Sequence, residues 1–274
     1  RWTVRCEKYI AEAISRQESK HGVIHPQHVP TKHKDHPELA SSEHLPPVDH
    51  QRYQQIIGML NWVVQLGRFD VAHAVSSLSR FTTLPRKGHM TRAIKVWGYL
   101  KKTKTLKKTI DLLPPEVDKL KIIPPKPQLI KQMKEEYPDA MEELDDKCPA
   151  PIYPELPITA FVDSNHAHDR ITRRSITGLM IMLGRTPIVY SSKRQTSIAT
   201  STYTAEFNAM RTATEEIIAM RYTLRSLGVH VKSPTKIYGD NNAVIMTTTI
   251  ADTLLQKKHV AIACHKTRAA EAAG

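Results

Sequence analysis

The chain has 274 residues, with 40 Lys or Arg against 27 Asp or Glu, a formal charge of +13 and 40% hydrophobic residues. This is globular rather than fibrous or disordered composition, and no apolar run reaches the roughly 18 residues that a bilayer-crossing helix needs, which excludes a transmembrane protein. Three cysteines (Cys6, Cys148, Cys264) stand far apart without a CxxC pair, which excludes a disulfide framework or zinc-finger spacing and predicts reduced thiols in an intracellular chain.

The positive charge points to a polyanionic partner, nucleic acid first, against a merely soluble basic protein or one that meets acidic lipid. The sequence starts at Arg1 without an initiator Met or a leader, so it reads as a section of a longer polypeptide. Residues 1 to 20 carry a short helical pattern through Tyr9, Ile10, Ala13 and Ile14. From His21 to His50 periodicity stops, and seven of the 14 histidines lie there among Pro26, Pro30 and Pro37. The prolines prevent a helix that would gather imidazoles on one face, so these are expected to be solvated loop histidines rather than metal ligands.

Between Asp49 and Lys108 apolar residues recur at helical steps: Tyr53, Ile56, Ile57 and Leu60, then Val71, Ala74, Val75 and Leu78, then Ile94, Trp97 and Leu100. This predicts a small all-helical region over 49–110, preceded by a short helix and linker over 1–48. Its last helix runs into Lys101, Lys102, Lys104, Lys107 and Lys108, which either complement a helix C-terminus or contact phosphate. Ten prolines between Pro114 and Pro157 mark 111–157 as a boundary linker.

The region 158–274 reads as α/β. Strands are predicted over Ile158–Val162, Gly178–Leu183, Pro187–Tyr190 and Lys236–Gly239, with a long helix from Tyr203 to Leu227 and helices over Asn242–Ile250 and Leu254–Ala273. A helical crossover between the first and fourth strands makes them parallel neighbours in a mixed sheet. Asp163 and Asp240 then stand at two strand ends and Glu206 in the first turn of the crossover helix. Three convergent carboxylates suit divalent cations, and two such ions about 4 Å apart serve phosphodiester hydrolysis. The alternative is that Glu206 complements a helix N-terminus while the aspartates cap turns.

Several segments in order resemble one family. Phe161-Val162-Asp163-Ser164, His168-Asp169, Thr172-Arg173-Arg174-Ser175, Thr177-Gly178, Tyr190-Ser191-Ser192-Lys193-Arg194-Gln195, Ser201 to Phe207, Gly239-Asp240-Asn241-Asn242 and Lys257-Lys258-His259 are similar to the ribonuclease H domain of copia-type LTR-retrotransposon polyproteins. Upstream, Ile57-Gly58-Met59-Leu60, Arg68-Phe69-Asp70-Val71-Ala72 and Tyr99-Leu100-Lys101 resemble the thumb and connection region of those polyproteins.

The resemblance implies a ribonuclease H-like mixed sheet with flanking helices over 158–274, behind a helical thumb/connection region. It implies cleavage of the RNA strand of an RNA–DNA hybrid with two Mg²⁺ ions, Mn²⁺ being an alternative. Asp163 would bridge both ions, Glu206 would hold the one nearer the leaving group and Asp240 the one that activates water. Arg173, Arg174, Lys193, Arg194 and Asn241 are the candidate contacts to phosphate and 2′-hydroxyl groups, with solvated surface as the alternative. The family's partners would be nucleic acid and the rest of the polyprotein, not a membrane, in a cytoplasmic particle or the nucleus.

The family's paired polymerase aspartates do not occur in this stretch. The family continues past the position of Gly274 into a strand and a helix bearing a fourth acid, so an unpaired sheet edge and weak or no cleavage by this chain alone are expected. Three readings therefore stand at this point: an active ribonuclease H section, a nucleic-acid-binding remnant that does not cut, and a basic helical scaffold.

Overall fold

The computed structural model describes residues 2–117, 127–142, 147–250 and 258–273. Among the described residues there are six strands and eight α-helices, in two compact units. No described helix is long and apolar enough to cross a membrane.

The first unit comprises 1–110 together with Asp169–Arg173 and Ser191–Lys193. It contains α1 (Glu7–His21), α2 (Pro47–Gln65), α3 (Ala72–Ser79) and α4 (Lys87–Lys102). The periodic apolar residues form its core, where Tyr53, Ile56, Leu60, Val63, Val71, Val96, Trp97 and Leu100 are completely buried. Buried Tyr53 keeps its hydroxyl satisfied by donating to Leu78 O at 2.8 Å.

This unit is not all-helical. β1 (Trp2–Arg5) pairs antiparallel with β2 (Lys107–Ile110), Trp2 opposite Ile110 and Arg5 opposite Lys107. The lysine run is correspondingly divided. Lys101 donates to Glu18 at 2.8 Å, Lys102 meets the His28 ring, and Lys107 and Lys108 are strand residues.

Of the His-rich stretch, His21 closes α1 and His50 lies in α2 rather than in a loop; between those helices it is irregular apart from a 3-10 turn at Pro37–Leu39, but it is fastened down. Gln27 N donates to Gly98 O at 3.0 Å, and a Cβ on Gly98 would stand 2.4 Å from His25 O. Only glycine allows that approach of loop to helix. Gly98→Ala should therefore lift residues 25–27 off α4 and destabilise the unit by about 1–3 kcal/mol, measurable by denaturant titration.

Within the same unit, Asp169 is almost fully buried. Its Oδ2 accepts from Arg80 Nη1 at 2.8 Å, and its Oδ1 accepts from the backbone N–H groups of Ile171 and Thr172. Glu38 accepts from Arg170 N at 3.1 Å, and the turn closes with Arg173 at φ +56°.

The second unit comprises 111–168, 174–190 and 194–274. Its sheet has the order β5-β4-β3-β6, built from β3 (Ile158–Asn165), β4 (Ile176–Leu183), β5 (Thr186–Arg194) and β6 (Lys236–Tyr238). β3 is antiparallel to β4 and parallel to β6. The helix α6 (Thr202–Ser226) crosses between β3 and β6 in sequence and packs on β3 and β4 through Phe207, Met210, Ala213 and Ile217, against Ala160, Val162, Leu179 and Ile181. Ser201 caps it by accepting from Thr204 N, and Gly228 at φ +74° ends it. α7 (Asn242–Thr249) and α8 (Lys258–Ala273) complete the unit, with Arg268 donating twice to Thr247 O. Residues 251–257, including the predicted helix start and Lys257, lie outside the described residues.

Residues 111–157, expected as a linker, belong to this unit wherever they are described. Asp111 N donates to Thr186 Oγ1 and Asp111 O accepts from Arg185 N, both at 2.8 Å. α5 (Pro127–Glu136) packs on α7 and α8 with Met133 buried, and Glu142 joins α6. Outside α5 the prolines break periodic backbone bonding, so single side-chain and backbone hydrogen bonds to distant residues hold the rest of the described segment.

Candidate metal centre

β3 and β6 pair in parallel as Thr159 with Lys236, Ala160 with Ile237 and Phe161 with Tyr238. Two residues beyond the last pair are Asp163 and Asp240, so the register sets the two acids level with each other. Asp163 lies within β3, opposite Gly178, rather than after its end, because the hairpin with β4 continues to Asn165 opposite Ile176. Glu206 enters from the first turns of α6. Gln195 steadies that helix end by donating to Ala205 O at 2.9 Å and to Thr177 Oγ1 at 3.0 Å.

Oxygens of Asp163, Glu206 and Asp240 all lie within 4.8 Å of one another. Asp163 and Asp240 are exposed and Glu206 is buried. Burial pushes the Glu206 carboxyl above its ordinary pKa. Ser164, whose hydroxyl and backbone face it, pulls the other way, while the charges of Asp163 and Asp240 push it further up. Three acids so close repel one another, and hard oxygen donors in this number suit a Mg²⁺ or Mn²⁺ ion. Among the described residues no other group of three His, Cys, Asp or Glu side chains has this spacing, the His-rich stretch included.

The five candidate nucleic-acid contacts are divided between the units. Arg173 and Lys193, both exposed, fall in segments of the first, whereas Arg174, Arg194 and Asn241 fall in the second. Asn241 also serves its own helix, since its Oδ1 accepts from Ala243 N and Val244 N and so caps α7 immediately after Asp240. Ser164 and Gln195 stand in the family-like segments, but nothing in the sequence marks them as supports of the acids beyond adjacency to Asp163 and to the Lys193-Arg194 pair.

The sheet and the carboxylates define a mixed α/β protein with a candidate cation centre at a parallel strand pair. Its relatives are retrovirus-related Pol polyproteins, and the chain is a relative of those from copia-type transposons. It is 24% identical over 94% of its length to the Pol polyprotein from transposon RE1 of Arabidopsis thaliana, and 25% identical over 78% to that from transposon TNT 1-94 of Nicotiana tabacum. A 112-residue stretch is 30% identical to the Pol polyprotein from transposon RE2 of Arabidopsis thaliana. The chain spans only 14%, 13% and 8% of the RE1, TNT 1-94 and RE2 polyproteins respectively. No protein-family model and no solved structure matches it.

Proposed function

We propose that the second unit is the ribonuclease H portion of a copia-type retrotransposon Pol polyprotein and hydrolyses the RNA strand of an RNA–DNA hybrid, with the first unit as its thumb/connection region. The observation that carries this reading is the meeting of Asp163, Glu206 and Asp240 within 4.8 Å across a parallel strand pair and its crossover helix. The likeness to Pol polyproteins supports the context, and the +13 charge supports a nucleic acid partner.

Asp163 and Asp240, exposed and level, would hold cations on the solvent side, and buried Glu206 would hold them from beneath. Bound Mg²⁺ would supply water activation and stabilisation of the leaving oxygen. The residues themselves fix the spacing and exclude water on the Glu206 side. Arg174 and Arg194 are the candidate phosphate contacts in the same unit.

A labelled hybrid incubated with Mg²⁺ should release RNA fragments, weakly at most with this chain alone, and EDTA should stop the release. Mg²⁺ at about a hundred times its dissociation constant should raise stability by about 2.7 kcal/mol. Hybrid binding should weaken steeply as salt rises. Salt-sensitive hybrid binding without Mg²⁺-dependent cutting would favour a binding remnant, and binding indifferent to salt would remove the electrostatic premise.

A further inference from the structure

β6 is a weak place to hang a metal ligand. It has three residues, sits at the sheet edge among the described residues, and pairs only with β3. Because side chains alternate, a slip of one residue against β3 would turn Asp240 away from Asp163. Something outside the ladder must therefore hold its register.

The residues leading into β6, Val231 to Thr235, are held by side chains from two places. From α6, Arg225 Nη2 donates to Val231 O at 2.8 Å, and Arg221 Nη1 donates to Ser233 O at 2.9 Å and Thr235 Oγ1 at 3.0 Å. From the proline-rich segment, Glu155 Oε1 accepts from Lys232 N at 3.3 Å and Ser233 N at 2.5 Å. Glu142 then accepts from Arg221 Nε at 2.5 Å and Nη2 at 2.9 Å, and from Arg225 Nη2. Arg221 is only 3% exposed. Burial opposes the Glu142 charge, but the two guanidiniums outweigh that and hold its carboxyl down to about 2.

We propose that Glu142 and Glu155 form a register clamp, in which the segment between α5 and β3 fixes the lead-in of β6 and so places Asp240 beside Asp163 and Glu206. Both are positioning residues. Glu142 acts by orienting Arg221 and Arg225 toward the lead-in carbonyls, and Glu155 by receiving the lead-in amides directly. The significance for metal binding rests on the ribonuclease H reading; the mechanical link does not. The proline-rich segment would thus be a working part of the centre.

The test is hydrogen exchange over Lys236–Tyr238 in the full chain, with Leu179 and Ile181 in the inner sheet as reference, alongside Mn²⁺ titration. Glu142→Gln should speed exchange over β6 at least about tenfold while the reference amides stay as protected as before. It should also raise the Mn²⁺ concentration for half-saturation by about 10–100-fold, the usual effect of losing an outer-shell support. Arg221→Lys, which keeps the charge and loses the fork, should do the same.

Unchanged β6 exchange, or β6 and reference amides loosening together, would overturn the clamp. If Glu142→Gln does not fold, exposed Glu155→Ala, which removes the acceptor of the Lys232 and Ser233 amides, decides by the same two readings. A wild-type chain that neither binds Mn²⁺ nor cuts hybrid would sink the ribonuclease reading, and the exchange comparison would still decide the clamp.

Discussion

Asp163→Asn and Asp240→Asn are each expected to weaken Mn²⁺ binding by more than about a hundredfold, and to lower any Mg²⁺-dependent hybrid cleavage by at least as much. Losing an outer-shell partner of a metal site already costs about 10–100-fold, and a ligand should exceed that. Asn keeps the size of the side chain and removes one of three negative charges, so the sheet should persist. The Glu206 carboxyl provides an independent check. Burial is the largest cause of its raised pKa, and Asp163 and Asp240 both push it further up, so either substitution should move it down. A carboxyl-carbon NMR titration would read this. A Glu206 pKa that ignores both changes would mean that the three acids are not neighbours in solution, and full metal affinity in both variants would remove the cation site.

Asp169→Ala should give the largest loss of stability in the first unit, about 3–5 kcal/mol in denaturant titration. The Asp169 side chain is 2% exposed and that of Arg80 15%, so truncation leaves a guanidinium largely out of water with only Glu38, at 3.7 Å, to balance it among the described residues. Two backbone N–H groups, of Ile171 and Thr172, also lose their acceptor. Asp169→Asn should be milder because an amide oxygen still serves those N–H groups while the charge is lost. Equal, small effects of the two changes would show that the ion pair is not holding the turn.

The helical periodicity of α2, α3 and α4 and the order of strands around α6 were legible because both rest on local patterns of burial. The parallel pairing of the first and fourth strands of 158–274 followed from crossover geometry, and with it the meeting of Asp163 and Asp240. Nothing local marks Trp2–Arg5 as a strand, since its partner Lys107–Ile110 lies at the far end of the unit's sequence and has the look of a lysine tail. The segment 111–157 was illegible for a different reason. Outside α5 its described order comes from single contacts, the Asp111 backbone to Thr186 and Arg185 and the Glu142 and Glu155 carboxylates to arginines and distant amides, and such bonds have no period. Asp169 is legible only as part of a motif; its burial depends on Arg80, which no spacing links to it.

The first unit borrows two short pieces, Asp169–Arg173 and Ser191–Lys193, from far down the chain. During synthesis it therefore cannot close when Ile110 leaves the ribosome. Asp169 has yet to arrive, and until it does the only buried anion beside Arg80 among the described residues of this unit is Glu38, 3.7 Å from its Nη2. At ordinary elongation rates the wait for the residues through Lys193 is on the order of five to fifteen seconds. In that interval the helices of the first unit would stand with one flank open, a state in which nascent-chain partners or proteases meet a surface that the finished protein hides.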